Sequence, residues 1–442
     1  MKTFVVLLLL LSPLARLAAQ ELPRRPYVGI NLQGLNDSLQ RHYRLPTKDG
    51  VFVRDVRAQS SAEAAGLRAH DIILQVGSTV LGPEVSQFLS LLKQYRTGDR
   101  AVFTVLRDGQ RLRKPIVFKA FPTERSPWYE ATYSAVTASG NRLRTIITRP
   151  KGRPGQPVPL VMFLQGVGCF SVDNPLTPHE TVNRIIDSLS RHGYATLRVD
   201  KTGMGDSQGQ PCPEADFRTE ASGYKAALAA VRQLPFVDQQ NVFLFGHSIG
   251  GIMAPVVAEG AGVKGVAVYG TASRSFIEYE LQNKRNQSQL QQLPYDSINN
   301  LMKTYTAALH LLLTEKLTPA QVRARCPNAG PLLDFPQHYT YVQQWQDVNL
   351  AAAWQRLNTR VLAMRGEADY ISYNEDHQLL VDAVNRQHPG QATFVVLPEV
   401  DHRFTRARTQ QESLRLAETA NPERNFEFMT VLLRWLDSQR HA

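Results

Sequence analysis

The sequence predicts an α/β protein, in which a parallel sheet covered by helices follows a small, mostly β domain. From Pro157 onward, continuous apolar runs bounded by turn residues alternate with helical patterns, as in strands buried on both faces of a parallel sheet. Before residue 121, apolar and polar residues alternate over short stretches, which is typical of half-buried strands. The apolar runs of the larger part lie at 158–164, 194–199, 242–245, 263–269, 360–365 and 392–397.

The composition is that of a globular protein. With 442 residues, 43% of them apolar, two or three domains are expected, and disorder, collagen, coiled coil and multi-span membrane protein are excluded. The net charge of +11 lies mainly in residues 20–125, which hold 17 basic and 10 acidic residues. These charges are scattered and no aromatic residues alternate with them, so we expect a solvated basic surface that favours anionic partners, and no nucleic-acid site.

The N-terminus has the three parts of a secretory signal peptide. Lys2 precedes the apolar run Phe4–Leu11, and the small residues Ala18 and Ala19 follow before Gln20. The run is too short for a stable membrane span. We therefore predict a signal peptide over 1–19, cleaved at Ala19 or Gln20, and a secreted or periplasmic protein; an uncleaved anchor is the alternative.

The N-terminal part shows local signals for strands and one hairpin. Val51–Val56 and Arg100–Arg107 have the pattern of strands, and Asp108-Gly109 after the second is a two-residue hairpin signal. A polar, proline-containing stretch over 121–127 predicts a linker. The remaining residues, 128–442, form the predicted larger domain.

Residues 26–120 resemble a PDZ domain. The run Ala62–Gly77 is similar to the family's central stretch, although His70 stands where a glycine is usual, and Tyr27–Ile30 resembles its carboxylate-binding loop. Val85–Tyr95 would then be the helix beside the groove.

The PDZ resemblance implies that an extended peptide adds as a strand beside an exposed sheet edge. The backbone N–H groups of Val28, Gly29 and Ile30 would bind the carboxylate at the C-terminus of that peptide. The alternatives are that the protein's own chain fills the groove, or that the domain is only a spacer.

A nucleophile motif lies between a strand and a helix. Gly246-His247-Ser248-Ile249-Gly250 follows the apolar run 242–245 directly and opens a helical pattern. A sharp turn in this context presents a serine hydroxyl at the carboxyl end of the sheet, so Ser248 is the predicted nucleophile.

Ser248 needs a base, and the base needs a carboxylate to orient it. In this arrangement the acid and then the histidine follow the serine, each just beyond a later strand. Asp369 follows the run 360–365 and His402 follows 392–397, so they are the predicted acid and base.

Other residues compete for these two roles. Glu367 and Asp376 are alternative acids near the same turn, while His377 and His388 lie before the final strand, on the wrong side of it for a base. Asp401 is interpreted as a solvated loop charge or as a brace for the backbone of His402.

The oxyanion of an acyl-transfer reaction needs two hydrogen-bond donors. The backbone N–H of Ile249, next to the nucleophile, is the first. Residues 165–169 resemble the His-Gly-x-Gly loop that supplies the second, with Gln165 in place of the usual histidine. We predict the N–H of Val167 as this donor, with Gly168 as the alternative.

Residues 128–442 resemble the α/β-hydrolase fold, with further matches at Arg198–Ser207 and Glu375–His377. Within this superfamily the chain looks like the secreted esterases and serine aminopeptidase-like hydrolases. In this fold, the loops that carry Cys169 and Cys212 follow neighbouring strands, so the resemblance implies a disulfide between them and leaves Cys326 free. Three scattered cysteines do not suggest a zinc site.

The stretch over 273–350 lies where this fold inserts a lid. Some of its apolar residues should line a pocket above Ser248, although most should form helix–helix core. The candidates are Phe276, Tyr279, Leu281, Leu301, Met302, Tyr305, Leu309, Leu311 and Trp345.

The sequence therefore predicts an exported serine hydrolase with no metal or cofactor. Its substrate is predicted to be a small-molecule carboxylic ester. The first alternative is a peptidase whose PDZ domain collects peptide ends, and the second is a catalytically inert binding protein.

Overall fold

The computed structural model of the chain describes residues 22–152 and 155–440, so the predicted signal peptide lies outside the described residues. Over these two ranges, no helix combines the length and the apolarity that crossing a membrane requires. The predicted bounds of the PDZ domain (26–120), the linker (121–127), the larger domain (128–442) and the lid segment (273–350) remain predictions.

The N-terminal sheet is antiparallel, with strand order β1-β2-β3-β5-β6 and the short β4 paired to β3. Its strands are β1 (Ile30–Gly34), β2 (Val51–Val56), β3 (Ile72–Val76), β4 (Thr79–Val80), β5 (Arg100–Arg107) and β6 (Gln110–Val117). Its helices are α1 (Asp37–His42), α2 (Ser61–Ala64) and α3 (Val85–Leu92). Asp108 and Gly109 both have positive φ and form the predicted hairpin turn between β5 and β6.

Strand β1 lies at one edge of this sheet, and helix α3 packs beside it. The hydrophobic core beneath them is built on Phe88 of α3 and Phe103 of β5, both fully buried. This arrangement leaves a sheet edge and a helix side by side, as expected for a PDZ groove.

The second sheet has eight strands in the order β14-β13-β12-β11-β9-β10-β8-β7. These strands are β7 (Tyr129–Ala138), β8 (Asn141–Pro150), β9 (Val158–Leu164), β10 (Ala195–Val199), β11 (Val237–His247), β12 (Gly265–Tyr269), β13 (Arg360–Gly366) and β14 (Ala392–Leu397). The strands from β9 to β14 run parallel, and β8 runs antiparallel to both neighbours. Every residue of β9 is buried, in agreement with its uninterrupted apolar sequence.

Helices cover both faces of this sheet. They are α4 (Thr181–Arg191), α5 (Phe217–Val231), α6 (Ile249–Ala258), α7 (Phe276–Leu290), α8 (Tyr295–Leu309), α9 (Pro319–Arg325), α10 (Tyr339–Asp347), α11 (Leu350–Gln355), α12 (Asn374–Gln387), α13 (Gln410–Leu416) and α14 (Glu427–Arg440). Helices α4 and α14 pack on one face, and α5, α6, α11 and α12 pack on the other. Helices α7 to α11 all lie between β12 and β13; α7 to α10 fall within the predicted lid segment, and α11 begins at its last residue.

The sequence predicted the parallel strands of this sheet but gave no sign of the antiparallel hairpin formed by β7 and β8. Most residues of β7 are partly or fully exposed, and neither β7 nor β8 has the continuous apolar run that marked the strands from β9 to β14. It gains its backbone hydrogen bonds from β8, which in turn pairs with β10.

An N-terminal strap, residues 22–26, joins the two sheets. Arg24 Nη1 lies 2.8 Å from Asp173 Oδ2 and 2.5 Å from Asp206 Oδ2, and both carboxylates are fully buried. The Arg24 side chain also donates to the carbonyl oxygens of Phe121 and Pro122 in the linker. Buried carboxylates require such cations, so the strap holds the small domain against the larger one.

Candidate active site

Ser248 occupies a strained turn between β11 and α6, with φ 56° and ψ −124°. The surrounding glycines are required because the chains pack closely. A Cβ on Gly246 would lie 2.5 Å from the carbonyl oxygen of Gly250, and a Cβ on Gly250 would overlap the carbonyl oxygen of Leu164. The motif therefore presents Ser248 and brings the loop after β9 against it.

The structure brings the three predicted site residues together in one hydrogen-bonded chain. Ser248 Oγ lies 3.0 Å from Nε2 of His402, and Nδ1 of His402 lies 2.9 Å from Oδ2 of Asp369. A neutral His402 with its proton on Nδ1 donates to Asp369 and leaves Nε2 free to accept from the Ser248 hydroxyl. This is the arrangement in which a serine becomes nucleophilic.

Asp369 is fully buried and ionised. Its Oδ1 accepts from the backbone N–H groups of Ile371 (2.7 Å) and Ser372 (2.9 Å), and Ser372 Oγ donates to Oδ2 at 2.5 Å. Burial by itself raises the pKa of Asp369, but the positive charge that His402 carries when protonated, together with its hydrogen bond, outweighs burial and holds the pKa well below its usual range. The carboxylate is therefore fixed in orientation and in charge.

The competing residues have other partners. Glu367 is exposed. The carboxylate of Asp376 accepts at 2.7 Å from Arg274, which lies just before α7. His377 donates through Nδ1 to the carbonyl of Tyr373, and burial lowers its pKa. His388 caps the C-terminal end of α12.

Asp401 is not a solvated loop charge, because its side chain is buried. Its Oδ1 accepts from the backbone N–H groups of Arg403 (2.8 Å) and Thr405 (2.7 Å), and Ser413 Oγ donates to Oδ2 at 2.8 Å. The alternative interpretation holds: Asp401 braces the loop that presents His402.

The predicted oxyanion donors both line the cavity at Ser248. Among the described residues, no group accepts a hydrogen bond from the N–H of Val167 or of Ile249. The N–H of Gly168, the alternative donor, is already bonded to Oε1 of Gln337 at 3.2 Å. This favours Val167 over Gly168.

Two residues of the site escaped sequence reasoning. Gly270, with φ 62°, has no room for a side chain: a Cβ there would lie 2.9 Å from His402 Nδ1 and 3.2 Å from Asp369 Oδ2. His247 donates from Nε2 to the carbonyl oxygen of His402 at 2.9 Å. Neither contact could be predicted from a local sequence pattern, because the residues in contact lie far apart along the chain.

His247 gives the site a pH-dependent stability. Burial, and next the charge of His402, lower its pKa to about 3, against 6.5 in an unfolded chain. Between these values the unfolded chain binds a proton that the folded chain does not, so stability falls as the pH drops below 6.5. Acidification from pH 7 to pH 5 should therefore cost about 1–2 kcal/mol at this residue.

The His247→Gln variant keeps a donor near His402 and removes the titration. We expect its urea midpoint to fall less than that of the wild type between pH 7 and pH 5. His192→Gln, at an exposed position, is the control and should retain the wild-type dependence. Equal pH dependence in all three proteins would show that His247 does not titrate as described.

A cavity of about 470 Å³ opens above Ser248. Of the nine predicted lid residues, Phe276, Tyr279 and Trp345 line it and the other six do not. Its apolar lining includes Ile252, Phe276, Tyr279, Phe335 and Trp345. Glu280 lines the same cavity.

Cys169 and Cys212 form a disulfide, with 5.8 Å between their Cα atoms. The bond links the loop after β9 to the short 3-10 turn that follows β10. Nε2 of Gln337 lies 3.7 Å from both sulfur atoms, so a residue of the helical segment contacts the same loop. Cys326 is partly buried and is a free cysteine.

The PDZ loop residues lie just before β1. Val28 is buried, and Gly29 has φ 71°, where a Cβ would overlap the side chain of Ser60. In the part of the chain that the structure describes, no group accepts a hydrogen bond from the N–H of Val28 or Gly29. Ile30 begins β1 at the sheet edge.

The fold and the strained serine place the chain among the serine hydrolases of the α/β-hydrolase fold. It belongs to the X-Pro dipeptidyl-peptidase (S15) family, whose model matches residues 139–397. A PDZ domain model matches residues 26–114. Within residues 22–152 and 155–440, no group of three or more His, Cys, Asp or Glu side chains is placed to hold a metal ion.

Similar proteins include Esterase EstD of Thermotoga maritima, 27% identical over 240 residues, which are 54% of this chain and 53% of that protein. A probable periplasmic serine endoprotease, DegP-like, of Chlamydia trachomatis is 32% identical over 103 residues, 23% of this chain and 20% of the relative. The chain thus spans about half of one curated relative and a fifth of the other. Among solved structures, Est1E from Butyrivibrio proteoclasticus has a TM-score of 0.44 and 15% identity, covering 71% of this chain and 99% of its own.

Proposed function

We propose that this serine hydrolase cleaves carboxylic esters through an acyl-enzyme on Ser248. The observation that carries the proposal is the hydrogen-bonded chain from Ser248 Oγ through His402 to Asp369. In acylation, Oγ attacks the ester carbonyl while Nε2 of His402 takes its proton, and Asp369 stabilises the imidazolium. The N–H groups of Val167 and Ile249 bind the oxyanion.

The remaining steps use the same groups. His402 returns the proton to the leaving alkoxide as the tetrahedral intermediate collapses to the acyl-enzyme and an alcohol. Water then attacks the acyl carbon, His402 takes its proton, and collapse releases the carboxylic acid and restores Ser248. The proposed steps require no metal and no organic cofactor.

The cavity supports an ester with a small or medium acyl group. Its volume, about 470 Å³, lies in the range of small-molecule sites, and the aromatic side chains of Phe276, Tyr279 and Trp345 line it. The name of the Thermotoga relative, an esterase, agrees with this choice.

A substrate panel tests the proposal. We expect p-nitrophenyl esters of two to eight acyl carbons to be hydrolysed, with a kcat/KM that falls for longer chains. Aminoacyl and dipeptidyl p-nitroanilides provide the comparison. Hydrolysis of the anilides without hydrolysis of the esters would contradict an ester function and favour a peptidase.

One observation favours the peptidase alternative. Glu280 lines the cavity, and its carboxyl group accepts from Tyr305 Oη at 2.7 Å and from Nδ2 of Asn283 at 3.5 Å, but it forms no ion pair with any described residue. Burial raises its pKa. The charge of Lys284 acts on Glu280 without forming an ion pair, so a substrate with a free N-terminal ammonium would supply a cation in direct contact and form a charge-assisted hydrogen bond. The family's name, X-Pro dipeptidyl-peptidase, agrees with such a substrate.

The Glu280→Gln variant separates the two functions. If Glu280 binds an ammonium group, kcat/KM for peptide anilides with a free N-terminus should fall about tenfold or more. The same anilides with an acetylated N-terminus, and neutral acyl esters, are the matched controls and should change less than about twofold. Equal rates of wild type and variant on all these substrates would exclude this role of Glu280.

We further propose export of the mature chain and binding of a peptide C-terminus at Val28, Gly29 and Ile30. The disulfide and the periplasmic DegP-like relative support export. The N–H groups of Val28 and Gly29, which have no acceptor among the described residues, support the peptide site, as does the position of β1 at the edge of its sheet. An inert binding protein is disfavoured, because every predicted member of the triad is in contact with the next.

A further inference from the structure

The peptide group of the proposed oxyanion loop is held by a buried cation. Nζ of Lys201, which follows β10, donates to the carbonyl oxygen of Gly166 at 2.8 Å. Lys201 is only 5% exposed. Gly166 packs against the nucleophile, since a Cβ on it would lie 3.3 Å from the Cβ of Ser248. The cation therefore contacts the backbone next to the reacting atoms.

The contact orients the proposed oxyanion donor. The carbonyl of Gly166 and the N–H of Val167 belong to one peptide group, and no peptide bond in the described residues is cis. In a trans peptide these two bonds point in opposite directions. Because Lys201 fixes the carbonyl on one side, it fixes the N–H of Val167 on the other.

We propose that Lys201 is a positioning residue for the oxyanion hole, acting through the Gly166–Val167 peptide. This inference rests on the proposed function. Besides fixing the direction of the N–H group, the ammonium polarises the peptide, and a peptide whose carbonyl accepts from a cation is a stronger donor at its N–H. Lys201 thus favours the transition state without touching the substrate.

Glu220 on α5 holds Lys201 in place. Its Oε1 lies 3.0 Å from Nζ, and Tyr224 and Tyr341 donate to its two carboxylate oxygens at 3.3 and 3.4 Å. A buried ammonium requires such a partner to stay charged. Tyr341 belongs to α10, so the network also connects the helical lid segment to the oxyanion loop.

If the ion pair of Lys201 and Glu220 only stabilised the fold, removing it would change stability and leave the chemical step unchanged. Because Lys201 also donates to Gly166, we expect its removal to slow the chemical step, which a stability measurement does not detect. Two variants test it: Lys201→Met, and Lys201→Met/Glu220→Gln, which removes both charges so that no buried charge is left unpaired. The matched control is Arg198→Met/Glu124→Gln, which removes the buried ion pair of β10 that does not contact Gly166.

The experiment measures kcat and KM for a short-chain p-nitrophenyl ester, and the rate of Ser248 phosphonylation by a fluorophosphonate. In both Lys201 variants, kcat and the phosphonylation rate should fall about 10- to 100-fold, with KM within about threefold of wild type. The control should retain wild-type kcat. If Lys201→Met does not fold, kcat and the phosphonylation rate of Lys201→Met/Glu220→Gln test the role of Lys201.

A folded Lys201 variant with kcat and phosphonylation within twofold of wild type would overturn the inference. A rise in KM at unchanged kcat would do the same, because it would indicate a role in substrate binding. A wild-type protein that is phosphonylated but hydrolyses no ester would refute the ester proposal alone, since phosphonylation still reads the effect of Lys201.

Discussion

Replacing Ser248 by alanine is expected to lower kcat/KM for esters by about 10⁴-fold or more. The hydroxyl is the group that forms the acyl-enzyme in the proposed reaction, and it lies 3.0 Å from Nε2 of His402. The variant keeps the backbone of the strained turn, so its melting temperature should stay close to that of the wild type. Ester hydrolysis and thermal unfolding measure the two effects.

Ser190→Ala provides the control for this variant. Ser190 is buried on α4, on the opposite face of the sheet from α6, and its Oγ lies 3.5 Å from Oγ1 of Thr148. It should retain wild-type activity. If Ser248→Ala kept more than a hundredth of the wild-type rate, Ser248 would not be the nucleophile.

Replacing Asp369 by asparagine is expected to lower kcat by about 10⁴-fold at neutral pH. The reason lies in the contacts of the carboxylate. Its Oδ1 accepts from the N–H groups of Ile371 and Ser372, so the amide oxygen of asparagine would take that side. The amide NH₂ would then face Nδ1 of His402, moving the imidazole proton to Nε2, where it prevents His402 from accepting the Ser248 proton.

Glu367→Gln is the matched control, because it removes the competing acid from the same turn. Its side chain is exposed, and we expect the rate to change less than about twofold. The reverse result, with Glu367→Gln inactive and Asp369→Asn active, would assign the acid to Glu367.

The sequence predicted the parts of the site that are set by local structure. Ser248 could be placed because a glycine-rich turn between a buried strand and a helix is typical of a nucleophilic serine. Asp369 and His402 could be placed relative to it because the carboxyl ends of parallel strands meet at one edge of a sheet. The disulfide between Cys169 and Cys212 followed from the resemblance, which made their strands neighbours.

The parts that depend on packing between distant segments could not be predicted. The requirement for glycine at 270 arises only where β12 passes His402 and Asp369, and the contact between Lys201 and Gly166 appears only when β10 lies beside β9. The strap of residues 22–26 carries no local signal, since the two carboxylates that pair with Arg24 lie far along the chain. The solvated interpretation of Asp401 was wrong because burial of a loop depends on the loops around it.

The convergence of Ser248, His402 and Asp369 on one reaction can be tested most directly by locating a fluorophosphonate adduct. Peptide mass spectrometry of the folded, disulfide-bonded protein should find one adduct, on Ser248, that is absent in Ser248→Ala and formed far more slowly in His402→Ala. A folded protein that forms no adduct, or forms it on another serine at the same rate with and without His402, would contradict this convergence.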